Sequence, residues 1–109
     1  MTDTFSVLAQ SKPAATTLTD SYTVPASTQA VVSSVVVCNQ SATATSFRIS
    51  VAKAGAADTA AQYFYYDLSI DGNDTFVATI GISLAATDVV RVYNTLATLS
   101  FNVLGVQIT

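Results

Sequence analysis

The stretch Asp74–Asn94, DTFVATIGISLAATDVVRVYN, decides the fold class. Phe76, Ala78, Ile80, Ile82 and Leu84 alternate with Val77, Thr79, Gly81 and Ser83. Successive side chains leave opposite faces of a β pleat, so a period of two predicts a strand buried on one side. Ala85–Asp88 holds no strong β-former and predicts a tight polar corner. Val89–Tyr93 then resumes the alternation, with Val90 and Val92 opposite Arg91 and Tyr93. The stretch defines an architecture and holds no catalytic motif.

Upstream, Asp71-Gly72-Asn73-Asp74 is the clearest turn in the chain, because Gly and Asn accept positive φ at little cost. It predicts a hairpin joining Asp74 onward to the aromatic strand Gln62–Ile70. In that strand Phe64, Tyr66, Leu68 and Ile70 share one face, and Tyr63, Tyr65, Asp67 and Ser69 share the other. Tyr63 and Tyr65 are therefore the expected outward aromatic pair. Thr45–Ala52 alternates cleanly, with Phe47, Ile49 and Val51 inward and Ser46, Arg48 and Ser50 outward. Ala30–Asn39, rich in valine, predicts a central strand. Thr16–Val24 alternates weakly, but its four threonines and Tyr22 favour a strand. Thr98–Ile108 is the last strand, with a bulge expected at Gly105. Lys53–Ala61, rich in Ala and Gly, reads as a loop. Residues 1–15 contain one β-like piece, Phe5–Ala9, and a break at Lys12-Pro13, so they form an N-terminal arm or an edge strand. Residues 16–109 are then a single all-β domain. Seven to eight short antiparallel strands with turns at roughly 8–12-residue intervals predict a β-sandwich, of Greek-key or jelly-roll type.

Composition limits the function. The chain has 109 residues, which is one domain, and its mass predicts a folded surface of roughly 5,700 Å². Half of the residues are hydrophobic and only 10% are charged, against a typical ~25%. The polar exterior is therefore mostly hydroxyl and amide. Such a surface is cheap to desolvate and suits permanent contact with other subunits. Lys12, Arg48, Lys53 and Arg91 are too few and too scattered for phosphate recognition, which excludes nucleic acid as a partner. Anionic membrane surfaces are disfavoured for the same reason. The most apolar run, Ala30–Cys38, is far shorter than a membrane span, and MTDTFSVLAQ lacks the basic region of a signal peptide. A single cysteine allows no internal disulfide and fits synthesis in a reducing cytoplasm.

The sequence contains no histidine, which removes Ser-His-Asp and Cys-His constellations and the usual proton shuttle. Cys38, in an apolar strand, is expected to be a small buried hydrophobe. Asp67, Asp71, Asn73 and Asp74 lack the spacing and terminal Glu of an EF-hand, so turn chemistry outweighs calcium binding. No catalytic residue, cofactor or metal is assigned. Tyr63 and Tyr65, with Phe5 and Val7 of the N-terminal segment, are the candidates for a subunit interface or for stacking on a glycan.

Three stretches carry a resemblance: YTVPAST (Tyr22–Thr28), VVSSVVVCNQSATATSFRISVAKAGAAD (Val31–Asp58) and QYFYYDLSIDGNDTFVATIGISLAATDVVRVYN (Gln62–Asn94). Together they resemble small structural proteins of tailed bacteriophages, of the cyanophage tail, fibre or head-decoration type, from about Val7 to the C-terminus. The resemblance implies a non-enzymatic structural role in the virion, for a protein made in the host cytoplasm. With the low-charge surface and the arm-like start, the expected partners are other virion proteins and the chain itself, as a homotrimer. The resemblance does not select head, neck, baseplate or fibre; the expected role is a tail-, neck- or fibre-associated assembly module, with a head-decoration (cement) protein as the alternative. A carbohydrate-binding adhesion module that takes a host glycan is the second alternative.

Overall fold

The computed structural model describes residues 2–109. Eight strands form: β1 (Asp3–Ser11), β2 (Thr19–Thr23), β3 (Gln29–Asn39), β4 (Thr45–Ala52), β5 (Tyr63–Ile70), β6 (Thr75–Leu84), β7 (Val89–Asn94) and β8 (Leu99–Ile108). The only helical pieces among the described residues are two short 3-10 turns, Lys53–Gly55 and Ala60–Gln62, in the β4–β5 connection. Two four-stranded sheets result, in the orders β1-β8-β3-β6 and β2-β7-β4-β5. Every pairing is antiparallel. The strands β1 and β8, β2 and β7, β3 and β6, and β4 and β5 are nested neighbours. A long hairpin rolled over on itself gives this order, which is that of a jelly-roll sandwich.

The inner faces follow the alternation. Val35, Val37, Phe101, Val103, Ala78 and Ile82 of one sheet meet Phe47, Ile49, Val90, Val92 and Ile70 of the other, all buried. Phe47 sits at the centre, with its ring centroid 5.5 Å from Phe76, 6.2 Å from Phe101 and 6.4 Å from Tyr65. The accessible surface, 5475 Å², is close to that expected for the chain's mass.

Residues 3–11 are hydrogen-bonded along β8 as an edge strand of the first sheet. The turn at Asp71–Asp74 is not a hairpin, because β5 and β6 lie in different sheets. Its geometry is as expected, with Asn73 at φ 56°. The corner is instead pinned to the β3–β4 loop: Asn73 N donates to Ser41 O (2.8 Å) and Asn39 N donates to Asp74 O (2.9 Å). The buried Asn39 amide adds bonds to Thr43 O (2.9 Å) and Asp71 O (3.1 Å). At the β6–β7 corner the Asp88 carboxylate accepts from Ala54 N and Ala85 N, both at 2.9 Å. That corner also crosses between sheets, from β6 to β7.

Candidate functional site: the two outer sheet faces

The jelly roll leaves two outer faces, and they differ in chemistry. Of the four basic and seven acidic residues, Asp3 alone lies on a strand of the β1-β8-β3-β6 sheet. Register places Phe5, Val106 and Val31 in one cross-strand row, and Val7, Leu104 and Ser34 in the next. A third row runs Gln10, Asn102, Val36, Val77. All face away from the core. Phe5 is 78% exposed, Val7 52% and Val77 53%. Cys38 is on this side as well, half-buried between Thr75 and Ser100. The expectation that it is a core residue is thus corrected. A bulge in β3 near Ser33 shifts the phase so that Val35, Val37 and Asn39 point inward and Cys38 outward.

The opposite outer face, on β2-β7-β4-β5, carries charge and aromatic rings. Arg48 Nε donates to Asp67 Oδ1 at 2.7 Å, and Nη2 reaches Asp67 Oδ2 at 3.3 Å. The guanidinium lies between two rings, 4.1 Å from the Tyr66 centroid and 4.4 Å from that of Tyr93. The Asp67 hydrogen bond raises the Arg48 pKa above its ordinary value, so this cation stays charged. Tyr63 stands edge-on to Tyr66, with centroids 5.0 Å apart, and donates to Asp58 Oδ2 at 3.1 Å. Burial, then the Asp58 bond, pushes the Tyr63 phenol above its usual pKa. Next along the face, Arg91 binds Asp20 (2.9 Å) and Ala56 O (2.8 Å), which ties the β4–β5 connection against the sheet.

The structure reverses the expected faces of Phe64, Tyr65 and Tyr66 in the aromatic strand, while Tyr63, paired with Ser50 after a second register shift, stays on the outer side. Pairing with β4 runs Phe47–Leu68 and then Ile49–Tyr65, so β5 holds an extra residue at Tyr66–Asp67. Asp67 takes φ 52°, a conformation that Asp tolerates better than most residues. On the N-terminal side of this bulge Tyr65 turns inward, against Phe47 and Phe76. Phe64 and Tyr66 become the exposed rings, at 51% and 60%. Of the four sequence candidates, Tyr65 is therefore a partner of the core and Tyr63 is half-buried. Phe5 and Val7 stand exposed on the opposite face of the molecule. The tyrosines and the N-terminal pair are not brought together. The sequence reading missed Tyr66, Arg48 and Tyr93 as a unit. A basic residue opposite an aromatic strand was the signal that could have found them.

A concavity of about 510 Å³ lies at one end of the sandwich, between Ser27–Gln29, Ala85, Ala86 and the C-terminal residues. No titratable side chain lines it. Among the described residues no three His, Cys, Asp or Glu side chains gather as a metal site. No described helix is long and apolar enough to cross a membrane. No protein-family model, no curated protein sequence and no solved structure matches this chain.

Proposed function

We propose that the protein is a non-enzymatic structural component of a tailed-phage virion, an assembly module of the tail, neck or fibre. The observation that carries this reading is the uncharged, partly apolar outer face of the β1-β8-β3-β6 sheet. Monomers seldom leave so broad a face open to water, because exposed apolar patches of several hundred Å² mark sites of contact. A jelly roll serves capsid and lectin domains alike, so the fold fits the role without selecting it. The bacteriophage resemblance supplies the particle. Single-particle imaging of intact virions tests the assignment. Density for this jelly roll at the tail, neck or fibre supports it, and density that follows the head lattice replaces it with a cement protein.

The exposed rings of Phe64 and Tyr66, beside the Arg48–Asp67 pair, favour a second reading as a carbohydrate-binding adhesion module. The stacking residues are then Phe64 and Tyr66, not Tyr63 and Tyr65. A glycan array that gives no signal with the intact protein would retire that reading.

A further inference from the structure

We infer that the outer face of the β1-β8-β3-β6 sheet binds the same face of a second copy of this chain, about a two-fold axis. The inference rests on the assembly reading above and adds the surface and its occupant. Three features choose a second copy over an unrelated partner.

The first is charge. A partner with an ordinary surface, about one-quarter charged, would press ionised groups against Phe5, Val7, Leu104, Val106, Val31 and Val77. This face offers those groups no counter-ion, since its sheet carries Asp3 alone. Burying unpaired charge is strongly unfavourable. A second copy brings the same uncharged surface. In the pair, Arg48, Asp67, Asp20 and Arg91 all remain on the outside, in water.

The second is shape. Bulk is concentrated at one edge, where β1 presents Phe5 and Val7. The other edge, β6, presents Thr79, Gly81 and Ser83 around Val77. A Cβ added at Gly81 would meet nothing within 4 Å, so the surface there has room. A two-fold axis parallel to the strands sets each bulky edge over the small-residue edge of the other copy.

The third is area. Four strands about 4.8 Å apart, each about 30 Å long, make a face of roughly 600 Å². The extents of the body, 44 × 27 × 19 Å, accommodate it. Two such faces remove roughly 1,200 Å² from water, the lower bound for a specific interface. One face that meets its own kind closes at two copies, so a trimer would need a second surface.

Sedimentation velocity on the full chain, up to millimolar concentration, is the test. The expected result is a shift to about 23 kDa, twice the 11.3 kDa chain. The double variant Phe5→Glu, Val7→Glu places four carboxylates in the interface with no cation to receive them. It should weaken the dimer by roughly 100-fold or more, while far-UV circular dichroism stays unchanged. Val77→Glu, at the other edge, should do the same and serves if the double variant misfolds. Tyr66→Glu, on the opposite face, should leave the mass unaltered. A chain that remains monomeric, a trimeric mass, a folded Val77→Glu protein that still pairs, or dissociation by Tyr66→Glu overturns the inference. Localisation in the particle is a separate measurement. A dimer missing from virions sinks only the virion reading, and a monomer present in virions sinks only this pairing.

Discussion

Replacing Gly105 by alanine should cost this fold several kcal/mol, although only one methyl group is added. Gly105 lies on β8, between Ser6 of β1 and Val32 of β3. A Cβ there would overlap the carbonyl oxygen of Val31 and stand 3.0 Å from Val31 C and Val32 Cα. All three atoms are backbone, so no rotamer relieves the contact. The strands must part by about 1 Å, which strands two or three ladder hydrogen bonds at about 1–2 kcal/mol each. The sum is about 3–5 kcal/mol, from a domain whose whole stability is of the order of 5–15 kcal/mol. The same substitution at Gly81 is the control. Its Cβ meets nothing within 4 Å and its φ is not positive. There alanine restricts the unfolded chain and should stabilise by about 0.4–1 kcal/mol. Guanidinium unfolding followed by circular dichroism reads both. A large fall in the midpoint for Gly105→Ala and a small rise for Gly81→Ala, with unchanged slopes, is expected. A Gly105→Ala protein within about 1 kcal/mol of the parent, or less damaged than Gly81→Ala, would refute the β3–β8 register.

Asn39→Ala should lose about 2–4 kcal/mol, because its amide bonds Thr43 O and Asp71 O and its oxygen accepts from Ser41 N at the same loop junction; equilibrium unfolding measures it. Arg48→Met keeps the aliphatic stem but removes the Asp67 pair and both ring contacts. About 1–2 kcal/mol should go, less in high salt because the pair is partly exposed. Tyr63 holds its proton more tightly folded than unfolded. Its stabilising contribution is therefore complete below the unfolded phenol value near 10 and is lost as pH rises through the higher folded value. Tyr63→Phe should remove a late step from the alkaline ultraviolet titration and flatten the loss of stability in that window.

Elements whose pattern is uninterrupted were legible in the sequence. The alternations of Phe76–Leu84 and Val89–Tyr93 and the inward Phe47 and Ile49 appear in the structure as read. So does the central position of the valine-rich β3. The misreadings have two physical sources. A bulge inverts every side chain beyond it, and nothing in a period-two pattern marks where it falls. The bulge at Asp67 inverted Tyr65 and Tyr66, a second register shift between Tyr65 and Tyr63 left Tyr63 on the outer side, and the β3 bulge turned Cys38 outward. Turn chemistry, in turn, fixes local φ but not whether the flanking strands share a sheet. Asn73 adopts its positive φ either way, and the corner in place of a hairpin shows only in the strand order and in the bonds to the β3–β4 loop, such as Asn73 N to Ser41 O. The aromatic cradle of Arg48 needs three strands to assemble it, so no single stretch contains it. The uncharged outer face was legible in composition as a scarcity of charge. Its confinement to one sheet emerged only with the strand order.

The central claim is that this jelly roll functions as a built-in part of a phage particle. Quantitative mass spectrometry of density-purified virions tests it most directly. The account predicts peptides of this chain in several copies per particle, retained through washing in high salt because the contact face carries almost no charge. Peptides abundant in the infected-cell lysate but missing from the purified particles would contradict it.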